Sequence, residues 1–209
     1  MLGGWLLKLF FAPLSPFVRK VLVTAHETQQ DHLIERVNSA PHPIYRDEDI
    51  ARHNPLGQAP TAIADDGEVI YGSRVICEYL DAQSTALKVF PVASSARWRA
   101  LVQQALGDGI TDAALLARYE QNVRPAELRW DMWSATQMTK VTAGLDEVER
   151  LAKTFGEAVT IGTITIACAI GYLDFRFGDL SWRSGRPAAS QWYEWFAARP
   201  SMMATRPQA

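Results

Sequence analysis

The chain is poor in cysteine, with only Cys77 and Cys168, which lie far apart and form no CxxC pair. This spacing provides neither a disulfide framework nor a cysteine-based metal site. Each cysteine falls in an apolar helical stretch, where a free thiol behaves as a small hydrophobic side chain. We therefore expect two buried, unreactive thiols in a reducing compartment and no bound metal.

The chain also lacks an excess of positive charge and a long hydrophobic run. Its formal net charge of −2 gives no electrostatic basis for binding nucleic acid, whose partners usually carry a basic face. No uncharged stretch reaches the ~18 apolar residues of a membrane span. The N-terminal MLGGWLLKLFF has no basic region, is interrupted by Lys8 and is followed by no small-residue cleavage pattern. These absences predict a cytoplasmic protein without a nucleic-acid or membrane partner.

Hydrophobic residues make up 48% of the chain, enough for the core of one large domain or two small ones. Residues 1–83 alternate between strand and helix patterns, which predicts an α/β domain with a small mixed sheet covered by helices. The predicted order is a strand over WLLKLFFA, a helix over SPFVRKVLVTAHETQ, a strand over HLIERVN, a loop, a hairpin turning at Asp66-Gly67 and a helix over SRVICEYLDAQ.

After Gln83 the pattern becomes purely helical. Residues 84–93 are predicted to be a linker and residues 94–209 an all-helical domain. Pro125 is expected at the first position of one helix, and Thr160 is the expected N-cap of another. The helix after Thr160, within TIGTITIACAIGYLDFRF, is apolar on most sides and should be the buried centre of the bundle.

Ser15 stands where the first strand gives way to the first helix, and Pro16 follows it. Its simplest role is an N-cap, because its oxygen can accept a backbone N–H and proline at the next position needs no donor. A helix N-terminus also favours the thiolate form of a nearby thiol. A serine hydroxyl does not ionise near neutral pH, so its chemical use would be to donate a hydrogen bond to a ligand's sulfur. The two roles are compatible.

Two further positions could bind the same ligand. Pro60 precedes a strand, and its residue context alone favours an ordinary trans bond, whereas a cis bond would turn the Ala59 backbone toward an extended peptide. Ser73 opens a helix, where capping alone could explain it, but a helix N-terminus also suits a carboxylate. Together with Ser15, these positions suggest a short peptide that carries a thiol.

The order and spacing of these motifs resemble the glutathione S-transferase family over nearly the whole chain. The resemblance rests on SPFVRKV, NPLGQAP, the Asp66-Gly67 hairpin, YGSRVICEYLD, GDGITDAALLARYE and TIGTITIACAIGYLDFRF. It implies a thioredoxin-like domain, a C-terminal helical bundle and a homodimer. The implied activity is conjugation of glutathione, the co-substrate, to small electrophiles, as in detoxification.

The resemblance also implies roles for individual residues. Ser15 matches the serine of the serine-type bacterial members, which hydrogen-bonds the glutathione sulfur. Pro60 matches the family's cis-proline, with the Ala59 backbone on the cysteinyl part, and Ser73 matches the residue that holds the γ-glutamyl carboxylate. The implied glutathione-binding set is Ser15, Phe17, Gln58, Ala59, Pro60, Gly72 and Ser73. Arg46 and His53 are candidates for the glycine carboxylate, although solvated surface charge also explains them. Phe11, Leu14 and Tyr119 are expected to contact the electrophile in the cleft between the domains.

Two positions depart from the family pattern. Gly72 stands where relatives usually carry Glu or Asp against the γ-glutamyl ammonium, so glutathione either binds weakly or meets a compensating acid such as Asp108 from the neighbouring subunit. Thr163 replaces an Asp in the capping box of a C-terminal helix, where Thr160 can still act as the cap. Gly72 favours an alternative in which the chain is a binding or interaction protein with little turnover. A third alternative is disulfide reduction by glutathione itself, since the redox-type members carry cysteine at the position of Ser15.

Overall fold

The computed structural model describes residues 7–92 and 94–207, which form two compact units. The first unit consists of two segments of the chain, one that ends at Pro91 and one that begins at Pro200. The second unit is Val92–Arg199. Trp5 and Leu6 of the predicted first strand lie outside the described residues, as do Ala93 of the predicted linker and both ends of the predicted domains. The eight helices of the described residues are α1 (Pro16–Glu27), α2 (Glu48–Ala51), α3 (Ser73–Gln83), α4 (Ser94–Asn122), α5 (Asp131–Phe155), α6 (Ile161–Arg176), α7 (Pro187–Ala197) and α8 (Pro200–Ala204).

The first unit contains a four-stranded mixed sheet in the order β2-β1-β3-β4. Its strands are β1 (Leu7–Phe11), β2 (Ile34–Asn38), β3 (Thr61–Ile63) and β4 (Val69–Tyr71). β1 runs parallel to β2 and antiparallel to β3, and β3 and β4 form the predicted antiparallel hairpin. Gly67 in its turn has a φ of +87°, a conformation that glycine adopts without strain.

Helices α1 and α3 pack against each other in the first unit. The Thr24 hydroxyl of α1 donates to Cys77 Sγ of α3 at 3.4 Å, and both described cysteines are buried as predicted. The stripe of α3 that faces the core contains Ile76, Cys77 and Leu80. Val75 of the same helix lies outside this stripe and is 57% exposed.

The loop before β3 contains a helical turn that the sequence pattern did not predict. Helix α2 is only four residues long, and it is held by the Asp47 carboxylate, which accepts the backbone N–H groups of Ala40, Asp49 and Ile50. The Ala40 hydrogen bond is the main cause that holds the pKa of the Asp47 carboxyl below its usual value. A helix of four residues is about one turn long, which is too short for a hydrophobic period to appear in the sequence.

Two segments differ from the predicted division of the chain. Part of the predicted linker packs into the first unit, where the Asp81 carboxylate accepts the N–H groups of Val89 at 2.5 Å and Phe90 at 3.0 Å. The C-terminal α8 also belongs to the first unit, because it packs on α1, whereas the sequence placed it in the helical domain. Nothing in a helical pattern shows that a chain returns to an earlier unit.

The second unit contains α4, α5, α6 and α7. Helix α6 is buried continuously from Ile161 to Leu173, which confirms the predicted central helix. Thr160 caps it, and the Thr163 hydroxyl accepts the Thr160 N–H at 2.9 Å, so a threonine completes the capping box. Pro125 precedes a short 3-10 turn, and α5 begins later, so the prediction that Pro125 opens the long helix is wrong. Within residues 7–92 and 94–207, no helix has the length and apolar character needed to span a membrane.

Candidate functional site

The topology of the sheet brings two helix N-termini and one loop to the same edge. β1 is antiparallel to β3, and β3 is antiparallel to β4, so β1 and β4 end at the edge where β3 begins. Helix α1 follows β1, helix α3 follows β4, and the loop through Pro60 precedes β3. Ser15, Ala59 and Ser73 therefore lie along one edge; we call these three residues the edge site.

Ser15 is the N-cap of α1, as the sequence predicts. Its φ and ψ of −79° and 121° are extended, and its Oγ accepts the Val18 N–H at 3.3 Å. The side chain is half-buried. Because a hydroxyl has one donor and two acceptor positions, capping leaves the Ser15 proton available for another acceptor.

The loop that carries Ala59 is organised by Asn54, which the sequence analysis did not single out. The buried Asn54 amide donates to the Gln58 carbonyl at 3.1 Å and to the Thr61 hydroxyl at 2.9 Å, and its oxygen accepts the Leu56 N–H at 3.0 Å. The Ala59–Pro60 bond is cis. Among the described residues, neither backbone group of Ala59 has a hydrogen-bond partner. Asn-Pro followed by a glycine is the turn signal that could have pointed to Asn54.

Gly72, and not Ser73, is the N-cap of α3, which corrects the capping role considered for Ser73. The Gly72 N–H donates to the Pro60 carbonyl at 3.2 Å, which ties the start of α3 to the loop. No side chain caps α3, and an uncapped helix N-terminus is a favourable position for an anion. Ser73 is 8% exposed, and its hydroxyl has no hydrogen-bond partner in the part of the chain that the structure describes.

Gly72 has a φ of +85°, which side-chain-bearing residues rarely adopt, although a Cβ there would meet no heavy atom within 4 Å. We expect Gly72→Ala to lower the free energy of unfolding by about 1–3 kcal/mol, through backbone strain alone. Urea unfolding of the purified chain measures this. Gly178→Ala is the control, since Gly178 has open space around its Cβ and no positive φ. Equal effects at the two positions would contradict the role of strain.

The remaining glutathione-site candidates of the first unit lie on its surface or half-buried. Phe17 is half-buried in the first turn of α1, with Lys20 Nζ 5.8 Å from its ring centroid. The exposed Arg46 donates to the Pro55 carbonyl at 3.2 Å and therefore braces the loop that leads to Pro60. His53 is exposed, with its ring 5.5 Å from that of Phe10.

The candidates for the electrophile and the compensating acid differ in accessibility. Phe11 ends β1, with the Arg36 guanidinium 5.3 Å from its ring centroid, and Leu14 is 38% exposed. Tyr119 lies on α4 in the second unit and is 36% exposed, and burial raises the pKa of its phenol. Asp108, also on α4, is only 3% exposed. Its carboxylate is thus not presented at the protomer surface, which argues against its serving a neighbouring subunit's ligand.

The chain is similar to known proteins over most of its length. Residues 14–83 match "Glutathione S-transferase, N-terminal domain", and residues 131–194 match "Glutathione S-transferase, C-terminal domain". Over 206 residues, the chain is 33% identical to the uncharacterized GST-like protein YibF of Escherichia coli K12, covering 96% of this chain and 98% of that protein. The chain belongs to the glutathione S-transferase family.

Two solved structures of a glutathione transferase family member from Pseudomonas fluorescens Pf-5 are also similar. One contains bound glutathione and superimposes with a TM-score of 0.94 at 43% identity, covering 97% of this chain and 100% of that chain. The other contains bound S-(propanoic acid)-glutathione, with a TM-score of 0.90 at 42% identity and the same coverage. The glutathione transferase fold of this chain, a mixed-sheet domain with a helical region, is therefore established.

Proposed function

We propose that this family member transfers glutathione to small electrophiles, with the edge site holding the tripeptide. The observation that carries the proposal is the convergence of Ser15, the Ala59 backbone and the α3 N-terminus on one edge of the sheet. These groups suit a thiol, a peptide unit and a carboxylate respectively. The two structures of a relative with bound glutathione and with bound S-(propanoic acid)-glutathione support the choice of ligand.

Ser15 has the central chemical role in this proposal. Its oxygen stays engaged with the Val18 N–H, and its proton turns to the sulfur of glutathione. That hydrogen bond, together with the positive end of α1, stabilises the thiolate relative to the thiol. A larger thiolate fraction at neutral pH makes the sulfur a better nucleophile toward an electrophilic carbon.

The other residues position the substrates. The Ala59 N–H and C=O pair with the cysteinyl backbone, and the Ser73 hydroxyl and the α3 N–H groups bind the γ-glutamyl carboxylate. Phe11 and Leu14 are the proposed contacts of the electrophile in the first unit. We also propose that the chain functions as a homodimer.

Conjugation is favoured over disulfide reduction for a specific reason. S-(propanoic acid)-glutathione, the ligand of one relative, carries a substituent on the glutathione sulfur, as a conjugation product does. A serine in place of the redox-type cysteine also removes the protein thiol that a mixed disulfide with the protein would need. A binding protein with little turnover is the remaining candidate, and Gly72 is the residue that favours it.

Calorimetric titration with glutathione tests the binding part of the proposal. We expect the wild-type chain to bind glutathione, and Ser73→Ala to weaken binding by about 10- to 100-fold, since a hydrogen bond to a charged group is worth about 1.5–3 kcal/mol. Ser95→Ala, an exposed serine near the start of α4, should leave the affinity unchanged.

Three results would oppose the proposal in different ways. Absence of heat and of a thermal shift at millimolar glutathione would show that glutathione is not the ligand. Equal effects of Ser73→Ala and Ser95→Ala would show that glutathione does not bind at the edge site. Tight glutathione binding without turnover of any electrophile would favour the binding protein over the enzyme.

A further inference from the structure

The first unit contains a cavity of about 290 Å³ along the face of α1 that begins at Ser15. Val18, Arg19 and Leu22 line it, three, four and seven positions after Ser15, which is the spacing of one helical stripe. Phe11 from the end of β1 forms a further wall, and the segment after α8 forms another. A cavity near 300 Å³ is at the lower end of the range for small-molecule sites.

Three arginines, Arg19, Arg36 and Arg206, line this cavity from three different segments of the chain. None of its lining residues is acidic, and none of the three arginines forms an ion pair with a described residue. The chain as a whole has a formal net charge of −2, so a local group of three cations does not follow from composition. The cavity therefore combines apolar walls with an uncompensated positive charge.

Arg19 is the most informative of the three, because it is only 7% exposed. Its Nη2 donates to the Met202 carbonyl at 3.1 Å, while its buried Nε has no hydrogen-bond partner in the described chain. A buried cation whose side chain has its one hydrogen bond within the described chain to a neutral carbonyl is energetically unfavourable, and an anion in the cavity would supply the missing charge. Arg36 is positioned for the same anion, with its guanidinium 5.3 Å from the Phe11 ring centroid.

We propose that this arginine cavity, lined by Arg19, Arg36 and Arg206, binds a small organic carboxylate with an apolar body. Guanidinium groups match the paired oxygens of a carboxylate, and the hydrocarbon body packs on Phe11, Val18 and Leu22. An inorganic anion would contact the arginines but leave the apolar walls hydrated, so it is the weaker ligand. Its three arginines lie on α1, β2 and the C-terminal segment, whereas the anion position of the edge site is the N-terminus of α3. Phe11 is shared with the proposed electrophile contacts.

Calorimetry on the full-length chain tests this with a matched pair of probes, 3-phenylpropanoate and its neutral amide. We expect the acid to bind and to raise the melting temperature, and the amide to do neither. Arg36→Gln and Arg206→Gln, both at exposed positions, should each weaken acid binding by about tenfold, because each removes a charge-assisted contact. Arg52→Gln, an exposed arginine paired with Asp49 on another segment, is the control and should change nothing.

Repeating the titration with saturating glutathione separates the two sites. Unchanged acid affinity supports a distinct cavity, and loss of acid binding would overturn the proposal, since the acid would then occupy the glutathione site. The proposal also fails if the acid does not bind at millimolar concentration, if the amide binds equally well, or if the double variant Arg36→Gln/Arg206→Gln retains full affinity. A chain that bound no glutathione would refute the proposed function and leave the acid titration interpretable.

Discussion

Replacing Gly107 with alanine is expected to lower the free energy of unfolding by about 1–3 kcal/mol, because it forces two closely packed helices apart. Gly107 lies on α4, where a Cβ would come within 2.8 Å of both the Ile166 nitrogen and the Thr165 carbonyl carbon of α6. These are backbone atoms, so they cannot move aside as a flexible side chain would. Gly162 of α6 makes the reciprocal approach, since its Cβ would lie 2.7 Å from the Ala100 carbonyl oxygen of α4.

Gly109, two residues further along the same helix, provides the matched control. A Cβ at Gly109 would meet no heavy atom within 4 Å, so alanine fits there without a clash. Alanine also loses less conformational entropy than glycine when the helix forms. We expect Gly109→Ala to raise the free energy of unfolding by about 0.5–1 kcal/mol. Urea unfolding followed by circular dichroism compares the two variants. If both variants raised the free energy of unfolding, helix propensity and not close packing would determine the effect of alanine in this segment.

The packing of the Gly107-Asp108-Gly109 segment could not be predicted from the sequence. The helical period after Gln83 and the apolar run of α6 were sufficient to predict a helical domain and its buried central helix, since both follow from local patterns. Which of two neighbouring glycines meets the backbone of α6 depends on tertiary packing, and the sequence contains no sign of it. The same limit applies to Asp108, a carboxylate considered available to a partner that turns out to be buried.

The edge site was predictable to the extent that local signals specify it. Ser15 before Pro16 is an N-cap signal, and the structure has that cap. The requirement for positive φ at Gly72 and the burial of Arg19 arise from how the loop and the C-terminal segment fold back on the sheet and on α1. Sequence periodicity carries no information about such long-range contacts, so the departure at Gly72 could be noticed but not explained.

Removing the Ser15 hydroxyl is expected to have the largest effect on activity. If that hydroxyl donates to the glutathione thiolate, Ser15→Ala removes a hydrogen bond to a charged group, worth about 1.5–3 kcal/mol. The pKa of the bound thiol should then rise by about one to two units. The sign follows because the hydrogen bond favours the ionised form, so its loss favours the protonated thiol. The conjugation rate at neutral pH should fall by about 10- to 100-fold and partly recover as the pH is raised. Thiolate absorbance and steady-state rates against pH measure both quantities.

Capping must be separated from sulfur binding, because Ser15→Ala also removes the hydrogen bond from the Val18 N–H. Aspartate caps a helix as well as serine does, but its carboxylate cannot donate and would repel a thiolate. Ser15→Asp should therefore retain stability and lose activity, whereas Ser15→Thr retains both. Thr160→Ala, which removes the cap of α6, should cost about 1 kcal/mol of stability and leave the thiol pKa unchanged. An unaltered thiol pKa and rate in Ser15→Ala would leave Ser15 as a cap alone, and the thiolate would then be stabilised by the N-terminus of α1.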